Sequence, residues 1–183
     1  MRARYARCVT IRRAEPADLS ELAALAALTF PLACPPHLSQ ADMDAFVAEH
    51  LSAERFADYL ADAGRAVFVA EDAGRLTGYT MAVTGEPYDP DLARLVRHRP
   101  TVELSKCYAD PAAHGTGTAA ALLTHTIDWA AAEGAASVWL GVNGLNQRAQ
   151  RFYAKHGFAV VGERRFQVGE RVEDDLVLEK PLA

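Results

Sequence analysis

The sequence contains few cysteines, and their placement excludes two common kinds of site. Cys8, Cys34 and Cys107 are the three cysteines among 183 residues. They are odd in number, far apart and not at a metal-ligand spacing, so we expect reduced and mostly packed thiols instead of a disulfide framework or a zinc site. The sequence therefore predicts no metal centre.

Long apolar runs are also missing. The segment from Met1 to Thr10 carries Arg2, Arg4 and Arg7, but no apolar stretch follows them as it would in a secretory signal. No later segment is long enough and apolar enough to span a bilayer. We therefore expect a cytoplasmic protein without a membrane partner.

An excess of positive charge is absent as well. The formal net charge is -5 at pH 7, and no basic stripe with interleaved aromatic residues occurs. This balance argues against a protein that wraps nucleic acid. A cationic or amine substrate would suit it.

Apolar residues make up 50% of the chain, which excludes a disordered protein. A chain of this length can build one substantial core, so residues 1–183 are predicted to form a single domain. Period-2 and 3.6-period apolar patterns predict strands and helices that alternate as an α+β protein around one mixed sheet. The predicted strands are Cys8–Arg12, Ala66–Glu71, Leu76–Val83, Thr101–Ala109, Ala136–Val142, Phe158–Phe166 and Val172–Glu179.

Capping residues and prolines place the predicted helices. One begins near Pro16 and runs through Phe30. The others are a helix capped by Ser39 that ends near His50, one capped by Ser52 that runs to Asp62, Thr118–Glu133 closed by Gly134, and Asn146–His156 closed by Gly157. Turns are expected at 72–75 and at Gly169-Glu170, and Gly85–Pro100 is a long excursion in which a helical turn could form at Asp91–Arg97.

A glycine-containing loop follows the fourth predicted strand. Residues 108–119 read Tyr-Ala-Asp-Pro-Ala-Ala-His-Gly-Thr-Gly-Thr-Ala and lead from that strand into a helix. Glycines let backbone N–H groups turn toward one point, and a helix N-terminus adds partial positive charge, which together suit a pyrophosphate. The glycines could equally serve only the turn. Walker and Rossmann loops are disfavoured, because neither Gly-Lys-Ser/Thr nor the β-α-β context is present.

This loop resembles the signature of the GNAT acetyltransferases, which runs Gln or Arg, two residues, Gly, one residue, then Gly or Ala. The matching positions are His114, Gly117 and Ala119, of which His114 departs from the pattern. The stretch 139–158 is similar to the same family's strand, Asn-x-Arg-Ala, Phe-Tyr and Gly-Phe run. Its matching residues are Asn146, Arg148, Ala149, Phe152, Tyr153, Gly157 and Phe158.

Most of the chain also resembles bacterial polyamine acetyltransferases of the PaiA type. The shared features are a first helix ending Thr29-Phe30, a helical pair between Ser39 and Asp62, and the tail Phe166–Glu170 before a final strand. Residues Glu86–Arg99 are extra relative to that group. The resemblance implies an α+β GNAT fold: a mixed, mostly antiparallel sheet with splayed fourth and fifth strands, flanked by helices. It also implies acetyl-CoA as cosubstrate, no metal, an amine acceptor, and a dimer as one common assembly.

By this resemblance the pantetheine arm lies between the strands Leu104–Ala109 and Val138–Val142, and the pyrophosphate lies on the glycine loop. Asn146 would hold the arm and is equally suited to cap its helix, and Ala149 shares a helix face with Phe152 and Tyr153. Arg148, Arg151 and Lys155 could meet phosphates or lie in solvent. The implied cofactor-binding residues are Cys107, Tyr108, Ala109, His114, Gly115, Thr116, Gly117, Thr118, Ala119, Asn146, Ala149, Phe152 and Tyr153.

The resemblance also implies catalytic roles. Tyr153 would protonate the departing thiolate; with ordinary pKa values this transfer is uphill by about 2 kcal/mol, small against an enzymatic barrier. Glu103 would take the proton of the attacking amine, directly or through water. Glu103 and Ser105 alternate with Leu104 and Lys106, so regular pleating predicts that Glu103 and Ser105 share a face. Lys106 has no predicted role.

The sequence leaves the acceptor open. A small amine such as a polyamine is favoured over a protein N-terminus or lysine as the acceptor. Acetylation of an antibiotic or amino-acid analogue is a third possibility, which differs from the first only in the acceptor. A different class of function is a non-catalytic module that binds acyl-CoA as a sensor. Retention of both Asn146 and Tyr153 disfavours the sensor.

Overall fold

A computed structural model describes residues 9–168 and 171–182, and for residues 166–168 and 171 the backbone alone. Seven strands and six α-helices occur in this part of the chain. The strands are β1 Thr10–Arg13, β2 Arg65–Asp72, β3 Arg75–Thr84, β4 Thr101–Ala109, β5 Ser137–Asn143, β6 Ala159–Val168 and β7 Arg171–Pro181. The helices are α1 Leu19–Thr29, α2 Gln40–His50, α3 Ala53–Ala61, α4 Pro90–Leu95, α5 Thr118–Ala132 and α6 Gln147–Lys155.

The strands form one sheet in the order β1-β2-β3-β4-β5-β7-β6. Every neighbouring pair is antiparallel except β4 and β5, which run parallel. The parallel pairing covers Thr101↔Ser137, Val102↔Val138 and Glu103↔Trp139 and then stops. Beyond that point β4 pairs only with β3 and β5 only with β7, so the two strands splay apart as predicted.

Alternation along the strands divides the core into two layers. On β2, Phe68 packs with α5 and α6 on one face, whereas Val67 and Val69 pack with α1 and α3 on the other. Period-2 burial of this kind is expected for a strand covered on both faces. Leu122 and Phe56 are fully buried representatives of the two layers.

The predicted caps and turns mostly lie where the sequence indicates. Ser39 and Ser52 accept hydrogen bonds from the amides of Asp42 and Arg55 and so begin α2 and α3. In the β2–β3 turn both Ala73 and Gly74 have positive φ, 52° and 76°. The predicted Gly169-Glu170 turn and Cys8 lie outside the described residues.

The excursion between β3 and β4 is more ordered than a loop. Its helix α4 contributes Leu92 and Val96 to a buried cluster with Trp139 and Val177 on the sheet. The extra segment therefore covers the β5–β7 half of the same sheet face that α1–α3 cover elsewhere. In the part of the chain that the structure describes, no helix is both long and apolar enough to cross a membrane.

Candidate active site

A cavity of about 970 Å³ lies where β4 and β5 part. Its lining comes from both faces of the sheet, so it passes through the splay. We call the part lined by Gly115, Gly117, Asn146, Ala149 and Tyr153 the α5–α6 side, and the part lined by Phe30, Phe46, Tyr59, Glu103 and Lys106 the α1–α3 side. A volume of this size holds a drug-sized molecule.

The bend between β4 and α5 presents backbone donors to the α5–α6 side. Gly115 and Gly117 have φ of 79° and 91°, a conformation that other residues adopt only with strain. Asp110 Oδ1 accepts from the Ala112 amide at 2.7 Å and fixes the start of the bend. Within the described residues, no group accepts a hydrogen bond from the amides of Gly115, Gly117, Thr118 or Ala119. A row of free donors at a helix N-terminus can bind an anion.

His114 of the bend lies close to Arg148 of α6. His114 is exposed, and its Nδ1 lies 3.4 Å from Arg148 Nη1. Arg148 and Lys155 line the cavity, whereas Arg151 is exposed and is not among the described residues of its lining. Two of the three cations considered from the sequence therefore lie in the lining of the cavity.

Helix α6 presents one face to the cavity. Asn146 Oδ1 accepts from the Ala149 amide at 3.0 Å, so Asn146 is the N-cap of α6, and it also lines the cavity. Ala149, Phe152 and Tyr153 share the face that packs on the core, as their spacing predicts. The Tyr153 ring lies edge-on to Phe152 and Phe158, with centroids 5.3 and 5.7 Å away.

Tyr153 and Cys107 interact in a buried corner of the splay. Burial is the main reason that the pKa of Tyr153 lies well above its ordinary value, with the neighbouring Cys107 and Tyr108 adding to the shift. Burial also raises the pKa of the Cys107 thiol to about 12, although Tyr153 partly offsets the shift. A thiol group at this place is therefore a stronger base when ionised than it is in water.

A β-bulge in β4 changes the predicted facing of its side chains. Met81 pairs with Lys106 and Ala82 pairs with Leu104, so Ser105 is an extra residue without a partner on β3. Such a bulge shifts the alternation by one residue. The expectation from regular pleating that Lys106 faces away from Glu103 is therefore wrong: both residues lie on the α1–α3 side.

Lys106 is the residue of this site that the sequence analysis missed. Its Nζ lies 5.3 Å from the centroid of the Tyr59 ring, within cation–π range. Burial is the main reason that the pKa of Lys106 is lowered to about 8; Glu103 opposes the shift, and the positive charge of Arg65 adds to it. Burial raises the pKa of Glu103, and the charges of Arg164, Lys106 and Arg65 limit the rise. Nothing in the sequence marks the bulge, because it contains no glycine or proline.

Two more carboxylates, Glu173 and Asp175 of β7, line the cavity and were also missed. His37 Nε2 lies 2.8 Å from Glu173 Oε1, which joins the α1–α2 connection to β7. Arg164 Nη2 donates to Asp175 Oδ2 at 3.4 Å. These residues come from three separate segments, so only the folded sheet brings them together.

Gly141 and Tyr88 position the Arg164 guanidinium. A Cβ atom at Gly141 would collide with that guanidinium, so glycine is needed for Arg164 to lie against β5. Tyr88, from the excursion before β4, accepts a hydrogen bond from Arg164 Nη1 at 3.2 Å at the mouth of the cavity. Together with the His37–Glu173 contact, this joins β6 and β7 to the segments before α2 and before β4.

Comparison with known proteins gives consistent matches. Residues 32–158 match the model of the Acetyltransferase (GNAT) family. A relative from Mycobacterium tuberculosis, described as an uncharacterized N-acetyltransferase, is 48% identical over 165 residues, which cover 90% of this chain and 98% of that protein.

Solved structures agree with these matches in their fold. The PaiA N-acetyltransferase of Thermoplasma acidophilum, in complex with coenzyme A, superposes with a TM-score of 0.75 at 18% identity, over 95% of this chain and 99% of that one. YncA of Salmonella typhimurium, solved with its cofactor acetyl-CoA, superposes with a TM-score of 0.64 at 26% identity, over 96% and 94%.

Proposed function

Because the chain belongs to the GNAT acetyltransferase family and is an acetyl-CoA-dependent N-acetyltransferase, we propose that its acceptor is the primary amine of a small molecule. The observation that carries this proposal is the recessed position of Glu103 and Lys106, which are half-buried in the lining of the cavity on its α1–α3 side. A small compound can reach these two groups through the cavity beside the splay. A folded protein or a long peptide would need an open groove instead.

The α5–α6 side fits the cosubstrate. The amides of Gly115, Gly117, Thr118 and Ala119 would hold the pyrophosphate, with Arg148 at its edge. The edge of β4 at Cys107–Ala109 that faces away from β3 would pair with the amide groups of the pantetheine arm, and Asn146 would hold that arm from the N-terminus of α6. When bound, acetyl-CoA supplies the thioester whose acetyl group is transferred.

Tyr153 is the proposed acid. The C–S bond of the thioester breaks as the new C–N bond forms, and the sulfur needs one proton. The burial that raises the pKa of Tyr153 also raises that of a thiol at Cys107. The pKa of the proton donor Tyr153 and the pKa of a thiol beside it therefore shift in the same direction, and Tyr153 stays protonated at neutral pH.

Glu103 is the proposed base. An alkyl amine of pKa about 10.4 is neutral only about one part in a thousand near pH 7.4, a cost of about 4 kcal/mol. Glu103 lies at the last position where β4 pairs with β5, on the α1–α3 side. Its raised pKa makes it a stronger base once ionised. A backbone N–H near Tyr108 would stabilise the negative charge that grows on the thioester carbonyl oxygen.

An acceptor panel tests the proposal. We expect acetyl-CoA to raise the melting temperature of the protein and small primary amines, including polyamines, to release free CoA faster than peptides with free N-termini or lysines do. Faster release with peptides would refute the small-molecule acceptor. A silent panel with intact acetyl-CoA binding would favour a non-catalytic sensor.

A further inference from the structure

We propose that the acceptor carries a carboxylate as well as its primary amine, with the amine at Glu103 and the carboxylate at Lys106. This inference rests on the proposed function and narrows its acceptor to small amino acids and related zwitterions. It assigns Lys106 the role of a specificity-determining residue.

The bulge at Ser105 creates the arrangement. In a regular strand, residues three apart point to opposite faces. The extra residue in β4 instead brings the Glu103 carboxylate and the Lys106 ammonium to the same side of the sheet, both in the lining of the cavity. Each group acts on the pKa of the other, so both lie in one electrostatic environment.

The other carboxylates of the cavity already have partners. Asp175 accepts from Arg164, and Glu173 contacts His37 and Asn143. Among the described residues, Glu103 forms no hydrogen bond or ion pair of its own. It is therefore the carboxylate of this cavity that is free to take an amine.

The cations on the α1–α3 side of the cavity also differ in whether a carboxylate holds them. Arg65 Nε donates to Asp62 at 2.9 Å, and Arg164 is held by Asp175. Lys106 lies over the Tyr59 ring, but no described carboxylate forms an ion pair with it. A half-buried carboxylate and a half-buried ammonium that do not bond each other are complementary to a ligand with both opposite charges.

A polyamine fits this side less well. Arg164, Lys106 and Arg65 all lie close enough to influence Glu103. A second ammonium on the acceptor would meet this positive charge, and like charges in a partly desolvated site repel strongly. A carboxylate would instead gain a charge-assisted hydrogen bond from Lys106.

Wild-type protein and matched acceptors provide the first test. The compounds are leucine, leucinamide and isopentylamine, then γ-aminobutyrate, its amide and butylamine, with spermidine as the polyamine. CoA release gives kcat/KM, corrected at one pH for the neutral fraction of each amine. We expect the kcat/KM of at least one acid to exceed that of its amide and of its plain amine by about 10- to 100-fold, the usual effect of a hydrogen bond to a charged group.

The variant Lys106→Met provides the second test, because it keeps the length of the side chain and removes its charge. We expect the acid-to-amine ratio of kcat/KM to fall by about tenfold or more, with partial recovery in Lys106→Arg. Lys180→Met is the matched control, because Lys180 on β7 is not among the described residues that line the cavity, and its ratio should stay unchanged. A merely structural Lys106 would lower both rates by one factor.

The outcomes separate the two proposals. If plain amines or spermidine have a kcat/KM equal to that of the acids, the zwitterionic acceptor is refuted and the small-amine function is not. An equal loss of kcat/KM on acid and amine in Lys106→Met has the same consequence. No CoA release from any compound, while acetyl-CoA still raises the melting temperature, would overturn the proposed function and this inference with it. If Lys106→Met fails that thermal test, the wild-type comparison still decides.

Discussion

Replacing Tyr153 with Phe removes one hydroxyl and keeps the ring. The ring is 8% exposed and packs edge-on against Phe152 and Phe158, contacts that phenylalanine retains. The hydroxyl interacts with Cys107, so its loss should cost about 1 kcal/mol of stability. The fold and the cofactor side of the cavity should therefore survive the change.

The catalytic loss should be much larger than the structural one. A positioned general acid contributes about 10²- to 10⁴-fold to a rate, or about 3–5 kcal/mol of barrier. The buried corner raises the pKa of a thiol to about 12 at Cys107, so a sulfur leaving there without a proton donor is a poor leaving group. We expect kcat to fall by about 10²-fold or more and the Kd for CoA to change less than about threefold.

Steady-state release of CoA and calorimetric titration with CoA measure these two quantities. Tyr79→Phe is the matched control, because Tyr79 is fully buried, is absent from the described lining of the cavity, and forms no hydrogen bond through its hydroxyl within the described residues. Thr29 lies near that hydroxyl but donates to the Leu25 carbonyl. A kcat for Tyr153→Phe within threefold of the wild type would refute the assignment of Tyr153 as the acid.

Two further predictions concern the bend and the acceptor. Gly117→Ala should destabilise the protein by about 1–2 kcal/mol, because of the φ of 91° at this position, and should raise the Kd for CoA about tenfold. The control Gly74→Ala, at φ 76° in the β2–β3 turn, should lower the stability and leave the Kd for CoA unchanged. Urea unfolding measures the stability and calorimetry measures the Kd, and an unchanged CoA affinity in Gly117→Ala would contradict the anion site. The acid-to-amine ratio of kcat/KM should fall as pH rises through about 8, since the pKa of Lys106 is about 8 and only its charged form binds a carboxylate. The charged groups that act on Lys106 are Glu103 and Arg65, and its ammonium lies over the Tyr59 ring. A ratio that stays constant from about pH 6.5 to 9.5 would remove Lys106 from acceptor binding.

Much of the cofactor side is readable from the sequence because its features are local. The free amides of the bend follow from glycines between a strand and a helix, and the α6 face follows from a spacing of three and four residues between Ala149, Phe152 and Tyr153. Asn146 caps α6 for the same local reason. Within one turn or one loop, chain geometry leaves few alternatives.

The α1–α3 side of the cavity, where we propose that the acceptor binds, cannot be predicted from the sequence in this way. The facing of Lys106 depends on a bulge that arises from pairing with β3, about 25 residues earlier in the chain. The contacts of His37 with Glu173 and of Tyr88 with Arg164 join residues 136 and 76 positions apart. No periodic pattern records such pairs, because each depends on the register of the whole sheet.

The splay separates the proposed acid from the proposed base. Tyr153 belongs to the α6 face, and Glu103 points to the opposite face of the sheet. The proposed reaction removes a proton from the amine on the α1–α3 side and adds one to sulfur on the α5–α6 side. Because the opening between β4 and β5 joins the two sides, burial can raise the pKa values of Tyr153 and Glu103 while the proposed acid and base stay on opposite faces of the sheet.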